Sequence, residues 1–246
     1  MKRFLILLSM LCFGAYADTI NLHFVNEDNT TYENKTCTVG GDITLPTTAP
    51  TKRGYNFVGW KVPQYIPIEY LENDPGKTYV NTGYIANSET KILVDYILAG
   101  NYTENCPIIS SSSFGINHGC VGCWATATNI TYVFGSSRGS PKVEASTVGR
   151  RLVVLGKEGL YINGEYKNSV YQDQAFRSSA FSVFASSKCL LRIYSFQIYQ
   201  NDILVHDYVP ALDLSGVACL YDKVDNEFLY NEGTGEFVAG PIIDYD

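Results

Sequence analysis

The sequence predicts an all-β protein whose larger part is an antiparallel sandwich of two sheets. Short runs rich in Thr, Val, Ile and Tyr alternate with Gly, Asn, Asp and Ser clusters about every eight to twelve residues, which is typical of sandwiches and barrels. Few windows carry apolar residues at the spacing of an amphipathic helix. Several runs alternate apolar and polar residues, and strands with one buried and one wetter face imply two packed sheets.

The first 17 residues predict a secretory signal peptide. Lys2 and Arg3 form a positive start, Phe4 to Phe13 is apolar, and Ala15-Tyr16-Ala17 supplies a small-x-small cleavage site. The apolar run is too short to span a bilayer, which takes about 20 helical residues. A buried N-terminal strand is the alternative interpretation. Cleavage would leave a mature chain that starts at Asp18.

A signal peptide places the mature protein outside the cytoplasm: secreted, on the cell surface or in the periplasm. We expect no membrane insertion after cleavage, because no second apolar run approaches membrane-spanning length. Loss of Lys2 and Arg3 takes the formal net charge from −7 to two units lower, −9. An acidic chain disfavours nucleic acid and anionic lipid as partners.

Disulfides are permitted in an exported chain. A hairpin of Cys106–Ser113 with Cys120–Thr126 would place Cys106 roughly opposite Cys123, which predicts a cross-strand disulfide between them. Buried unpaired thiols are the competing interpretation. The CxxC spacing of Cys120 and Cys123 lacks the second ligand pair of a zinc site and the βαβ setting of a redox motif. Six cysteines remain after cleavage and allow 15 full pairings: Cys37, Cys106, Cys120, Cys123, Cys189 and Cys219.

The segment VPQYIP, Val62 to Pro67, predicts a domain boundary, because two prolines favour extended chain and resist a central sheet position. Residues 18–62 then form a small module, 63–67 a linker and 68–246 the larger domain. The module ends in LPTTAPTKRGYNFVGWKV, Leu45 to Val62. This stretch resembles the Listeria–Bacteroides or internalin-type B-repeat of bacterial surface proteins, and the resemblance implies a β-grasp-like unit.

Strands of the larger domain are predicted near Lys91–Leu98, Pro107–Ser112, Ile130–Phe134, Arg150–Gly156, Leu160–Asn163, Phe181–Ala185, Leu191–Tyr199 and Ile203–Val209. Asn163-Gly164 predicts a two-residue hairpin turn, because both residues tolerate positive φ. In the strand after Leu191, Tyr194, Phe196 and Ile198 are predicted on one apolar face. The opposite face is expected to be mixed and carries Ile193, Ser195 and Gln197.

Two stretches resemble the opening and closing strands of laminin-G/concanavalin A-like domains of exported bacterial and phage proteins. The first is IEYLENDPGKTYVNTGY, Ile68 to Tyr84, and the second is LRIYSFQIYQNDILVHDYVPALD, Leu191 to Asp213. Leu220 to Pro241 resembles the final hairpin, with a tight turn at Gly233 and Gly235. The resemblance implies a jelly-roll sandwich that binds glycans or proteins, and it is weakest in the middle, Ala99 to Pro141.

The carboxylates do not form a catalytic pattern, so we expect a protein that is not an enzyme. A glycosidase on this fold would carry two or three carboxylates at alternate positions of a central strand. Asp225 and Glu227 have that spacing but fall in a predicted turn, and Asp222 is out of phase with them. His206 is interpreted as a packed or surface residue. No cofactor is predicted. Calcium remains open, since Asp222, Asp225 and Asn226 form a sparse oxygen cluster that a turn explains better.

The predicted function is a secreted or surface binding protein whose partner is a glycan or another surface protein. Stacking on sugar rings needs aromatic faces next to amide, imidazole or hydroxyl groups. The loop-rich stretch GINHGCVGCWAT offers these groups in Asn117, His118 and Trp124, with Tyr132 on the next strand. Trp124 as a core residue is the alternative. Other candidate functions are a degenerate or unrecognised glycoside hydrolase and a structural surface or tail component.

Overall fold

The structure is a computed structural model of the chain. It describes residues 2–11, 19–25, 31–38, 44–51, 53–61, 64–99, 106–110, 120–125, 129–135, 142–144, 149–168, 176, 180–184 and 187–243. Within these ranges every regular element is a β-strand, so the predicted all-β class is confirmed. None of the described residues belongs to a helix long and apolar enough to cross a membrane.

Two compact units divide the chain. The first comprises Met1–Pro67 together with the short segments Asp213–Gly216 and Ile242–Asp246. Its described strands pair in the order β3-β2-β1-β4. Strand β1 is antiparallel to β2 and parallel to β4. The strands of this unit are β1 (Lys2–Leu11), β2 (Thr19–Val25), β3 (Thr31–Thr38), β4 (Tyr55–Lys61) and β5 (Ile66–Pro67).

Strand β1 coincides with the positive start and apolar run of the predicted signal peptide. Its backbone pairs Leu8 with Phe24 of β2 and Phe4 with Phe57 of β4. The arrangement corresponds to the alternative interpretation of this segment, a strand at the N-terminus. This pairing belongs to the uncleaved chain, in which residues 2–11 are present. Cleavage after Ala17 therefore stays a prediction.

The second unit comprises Ile68–Leu212 and Val217–Pro241, and its two sheets form a sandwich-like arrangement. Its strands are β6 (Leu71–Glu72), β7 (Val80–Ile85), β8 (Thr90–Leu98), β9 (Cys106–Ser110), β10 (Cys120–Ala125), β11 (Asn129–Gly135), β12 (Lys142–Glu144), β13 (Arg151–Gly156), β14 (Gly159–Ile162), β15 (Glu165–Asn168), β16 (Ala180–Val183), β17 (Leu191–Gln200), β18 (Ile203–Leu212), β19 (Ala218–Asp222), β20 (Glu227–Leu229) and β21 (Val238–Ala239).

One sheet of this unit follows the order β12-β11-β10-β9-β16-β7, and the other follows β15-β14-β13-β8-β17-β18-β19-β20. Neighbouring strands along both paths are antiparallel. Strand β6 pairs with both β17 and β21, which ties the opening of the unit to its closing segments. The eight strands predicted from periodicity correspond to β8, β9, β11, β13, β14, β16, β17 and β18.

Two hairpin turns follow from local chemistry. Asn163 and Gly164 have φ values of 51° and 82°, as expected for a two-residue turn between β14 and β15. Asn201 and Asp202, between β17 and β18, have φ values of 51° and 60°. Asn and Asp tolerate this left-handed region better than other residues with a Cβ. The residues of both turns therefore adopt the positive φ values that these turns require.

The core lies between the two sheets of the second unit. Strand β8 alternates strictly, and Ile92, Val94 and Tyr96 are fully buried. Strand β17 departs from the prediction, because its pairing with β8 shifts register between Ile193 and Ser195. This β-bulge changes the parity of the strand, so Ile193 joins Phe196 in the core. The predicted placement of Ile193 on the wetter face and of Tyr194 beside Phe196 is wrong for that reason.

The strands β9 and β10 form the predicted antiparallel pair, and its register can be read from the backbone. Cys106 lies opposite Ala125, and Cys123 lies opposite Ile109. The two cysteines are therefore offset by two residues rather than directly opposite, and their side chains lie outside the described part of the structure. Cys189 is disulfide-bonded, whereas the buried thiol of Cys219 donates to the carbonyl of Ala211 at 3.5 Å. A disulfide between Cys106 and Cys123 stays a prediction.

Candidate functional site

The residues that the sequence nominated for ligand binding divide into three groups. Asn117 and His118 lie outside the described residues. Trp124 lies in β10 opposite Pro107 of β9, but its side chain is not described. Tyr132 is fully buried in the core, and its hydroxyl oxygen lies 3.4 Å from that of Tyr96. A ring buried in this way presents no face to a sugar, which disagrees with the prediction that Tyr132 stacks on a ligand.

A different set of aromatic rings lies on the opposite side of strand β17 from the core. Tyr70 and Tyr194 meet edge to face, with ring centroids 5.8 Å apart. The guanidinium of Arg150 lies 3.8 Å from the centre of the Tyr194 ring, and that of Arg192 lies 4.4 Å from the centre of the Tyr70 ring. We call these four residues the Tyr–Arg cluster. Each arginine is close enough for a cation–π interaction.

Two carboxylates hold the arginines of the cluster in place. Arg150 Nε donates to Asp95 Oδ1 at 2.8 Å, and Arg192 Nε donates to Glu72 Oε2 at 2.6 Å. These hydrogen bonds raise the pKa of each arginine above its ordinary value, against the opposing effect of burial. The pairs balance the positive charges locally, so the cluster has no excess of positive charge to attract an anion.

The phenol of Tyr194 remains protonated near neutral pH. Burial raises its pKa above the ordinary value and the charge on Glu69 adds to that effect, whereas Arg150 and Arg192 oppose it. The cluster therefore combines half-buried aromatic rings, phenol hydroxyls and oriented guanidinium donors. This combination provides stacking surfaces and hydrogen-bond donors for the hydroxyl groups of a neutral ligand.

A second group of polar side chains converges where β18 passes the turn between β19 and β20. His206 Nδ1 lies 2.6 Å from Asp222 Oδ2 and 3.4 Å from Asp225 Oδ2. The three atoms lie within 4.8 Å of one another, which makes this group a candidate metal site in the described part of the chain. We call it the His–Asp cluster. The sequence-based interpretation as turn residues is confirmed for Asp225 but not for Asp222, which is the last residue of β19 and lies in the sheet beside β18.

Aromatic packing fixes the imidazole of the His–Asp cluster. His206 stacks on Tyr208 at 5.3 Å and an interplanar angle of 10°, and the ring of Tyr84 meets it edge-on at 5.6 Å. Burial raises the pKa of Tyr208, and the negative charge of Asp222 raises it further. Tyr208 is therefore a neutral packing partner rather than an anionic ligand.

Sequence reasoning missed the Tyr–Arg cluster, and it missed the place of His206 beside Asp222 and Asp225, for identifiable reasons. Tyr70 stands in the quoted opening stretch, and Tyr194 stands in the closing one, but the bulge in β17 was not visible in the pattern. His206 and Asp222 are 16 residues apart and meet only because β18 and β19 are neighbouring antiparallel strands. A search for His and Asp on adjacent strands of a predicted hairpin could have found the second group.

Comparisons with known proteins support the fold. No family model matches the chain, and no curated protein matches it in sequence. A solved structure from Bacteroides ovatus, described as a "putative carbohydrate binding protein", is similar with a TM-score of 0.50 and 11% identity. The match covers 93% of this chain and 70% of that chain. At this identity the similarity shows a common β-fold.

Proposed function

We propose that the protein is an exported, non-catalytic binding protein that recognises a glycan through the sandwich unit. The observation that carries the proposal is the Tyr–Arg cluster. Its rings and donors lie on the side of β17 that faces away from the core: Tyr194 stands at the bulge of β17, while Tyr70 and Arg150 immediately precede β6 and β13. Arg192 is paired on both sides, with Glu72 of β6 and Ile97 of β8, and the ion pairs and ring contacts connect the other three residues to it or to β8, so the ligand would meet a preformed surface.

The charge balance of the cluster favours a neutral glycan over an anionic one. Asp95 and Glu72 already accept hydrogen bonds from the two arginines, and Glu69 adds a further negative charge nearby. Sugar hydroxyls can accept from the remaining guanidinium N–H groups and donate to the carboxylates. The description of the structural neighbour as carbohydrate-binding supports this choice of ligand class.

Export is part of the proposal. The N-terminal pattern is that of a signal peptide, and the disulfide of Cys189 is of a kind that persists in oxidising compartments. The resemblances to a surface-protein repeat and to a laminin-G-like sandwich support the same setting. A small module would then accompany the binding domain on an exported chain.

A glycan-array screen of the protein, with and without calcium, tests the proposal. We expect binding to neutral oligosaccharides and no release of shortened products. Tyr194→Ala should weaken binding about tenfold, which corresponds to roughly 1.4 kcal/mol, because it removes one ring and the support of Arg150.

Tyr199→Ala is the matched control. Tyr199 lies on the same strand, and Lys91 Nζ lies 5.0 Å from the centre of its ring. Tyr199 is not part of the Tyr–Arg cluster. Trp124→Ala tests the site predicted from the sequence. Equal losses for Tyr194→Ala and Tyr199→Ala, or a loss confined to Trp124→Ala, would place the binding site elsewhere.

A further inference from the structure

The His–Asp cluster contains more acceptors than its donor can serve. His206 Nδ1 carries at most one proton, yet it faces a carboxylate oxygen of Asp222 and one of Asp225. The neighbouring cation Lys223 pairs with Asp207 at 2.6 Å. Asp222 is nearly inaccessible, with 2% of its side chain exposed, so its Oδ2 is satisfied by a neighbouring group and not by bulk water.

The surroundings orient these ligand atoms in advance. The second oxygen of Asp222, Oδ1, accepts the N–H groups of Asp207 at 3.1 Å and Val224 at 2.9 Å, which leaves Oδ2 directed at His206. The rings of Tyr84 and Tyr208 hold the imidazole plane. Supporting contacts of this kind orient the ligands in protein metal sites.

We infer that His206 Nδ1, Asp222 Oδ2 and Asp225 Oδ2 form a binding site for a divalent transition metal of the zinc class. Imidazole nitrogen suits zinc, copper and nickel, whereas calcium and magnesium select oxygen ligands. Asp225 is 52% exposed, so solvent can complete a four-coordinate shell from that side.

The two separations measured from His206 Nδ1 fit such a site after a small adjustment. Ligand atoms about 2.0–2.1 Å from a tetrahedral zinc ion lie roughly 3.3 Å apart. The 3.4 Å separation of His206 and Asp225 already has this value, while the 2.6 Å separation of His206 and Asp222 would lengthen when the metal replaces the proton between them. The metal would link β18 to the turn that follows β19 and stabilise the folded sandwich.

Titration of the chelator-treated protein with zinc, and separately with calcium, tests the inference by calorimetry and thermal unfolding. We expect one zinc ion per chain, a rise in the unfolding temperature with zinc, and no comparable effect of calcium. Asp225→Asn should weaken zinc binding roughly tenfold or more, the loss typical of a disturbed metal shell. Because Asp225 is exposed, this variant should fold like the parent without metal.

Glu227→Gln is the control for unspecific attraction to acidic side chains, because Glu227 belongs to the same acidic hairpin but not to the ligand set. It should leave zinc affinity unchanged. Cobalt replacement then identifies the ligand atoms: visible bands without an intense thiolate band support nitrogen and oxygen ligands. A thiolate band, unchanged affinity in Asp225→Asn, or no stoichiometric zinc binding would overturn the inference.

Discussion

At the scale of the residue, Asn73 shows how one side chain joins segments distant in the chain. Its amide donates to the carbonyl of Cys189 at 3.0 Å and accepts the N–H of Leu191 at 2.7 Å. Its own N–H donates to the carbonyl of Leu191 at 3.1 Å. Asn73 is 1% exposed, and buried polar groups of this kind must be paired. This residue therefore fixes the opening segment to the start of β17.

Because the pKa of Tyr208 is raised in the folded protein, we expect the free energy of unfolding to fall at alkaline pH. Burial raises its pKa above the ordinary value near 10, so above about pH 10 the unfolded chain loses a proton that the folded chain keeps. The stabilisation is complete below the unfolded pKa and is lost as the pH rises, by at most about 1.4 kcal/mol per pH unit. Urea unfolding at about pH 8 and about pH 11 measures this loss of stability.

Tyr208→Phe is the control for this effect. The phenylalanine ring keeps the stacking on His206 and Phe196 but has no proton to lose. Its free energy of unfolding should therefore fall less than that of the parent over the same pH range. Parallel pH profiles for the two proteins would contradict the prediction.

At the scale of the element, the closing hairpin depends on close backbone approach. The N–H groups of Glu232 and Gly235 donate to the carbonyls of Tyr79 and Lys77 at 2.9 and 3.1 Å. A Cβ atom added to Gly233 would lie 1.9 Å from the carbonyl oxygen of Lys77. Gly233 is therefore required because the backbone of Lys77 leaves no room for a side chain, in addition to the suitability of glycine for a turn.

Gly233→Ala is expected to destabilise the sandwich by about 1–3 kcal/mol, because the added methyl group forces the closing segment away from Lys77. Thermal or urea unfolding measures the change. Thr234→Ala changes the exposed neighbour of Gly233 and should stay within about 0.5 kcal/mol of the parent. A Gly233→Ala variant as stable as the parent would show that the closing segment does not pack against Lys77 as closely as described.

At the scale of the whole molecule, the strand pairing of the first unit depends on whether the N-terminal residues are removed. Strand β1 lies between β2 and β4, yet the same residues have the pattern of a signal peptide. Cleavage after Ala17 would remove β1 from the middle of this sheet. The mature module would then have to pair β2 and β4 in another way, so its sheet and that of the full chain cannot be identical.

N-terminal sequencing and intact mass of the protein recovered from an exporting cell settle which form is mature. We expect the chain to start at Asp18, because Ala15 and Ala17 provide the small residues that signal peptidase requires. Ala17→Leu should block processing and leave the precursor. A mature chain that begins at Met1 would contradict export by this route and favour β1 as a permanent strand.

Eight strands of the sandwich and one hairpin turn follow from the local sequence pattern, because alternation with period two and residues that accept positive φ act locally. The type and place of β8, β13 and β18, and the turn at Asn163-Gly164, needed no long-range information. The bulge in β17, the burial of Tyr132 and the contact of His206 with Asp222 depend on how the strands pair and pack. A bulge inverts the faces of a strand without changing its composition, and contacts between strands depend on register, which a single strand's pattern does not contain.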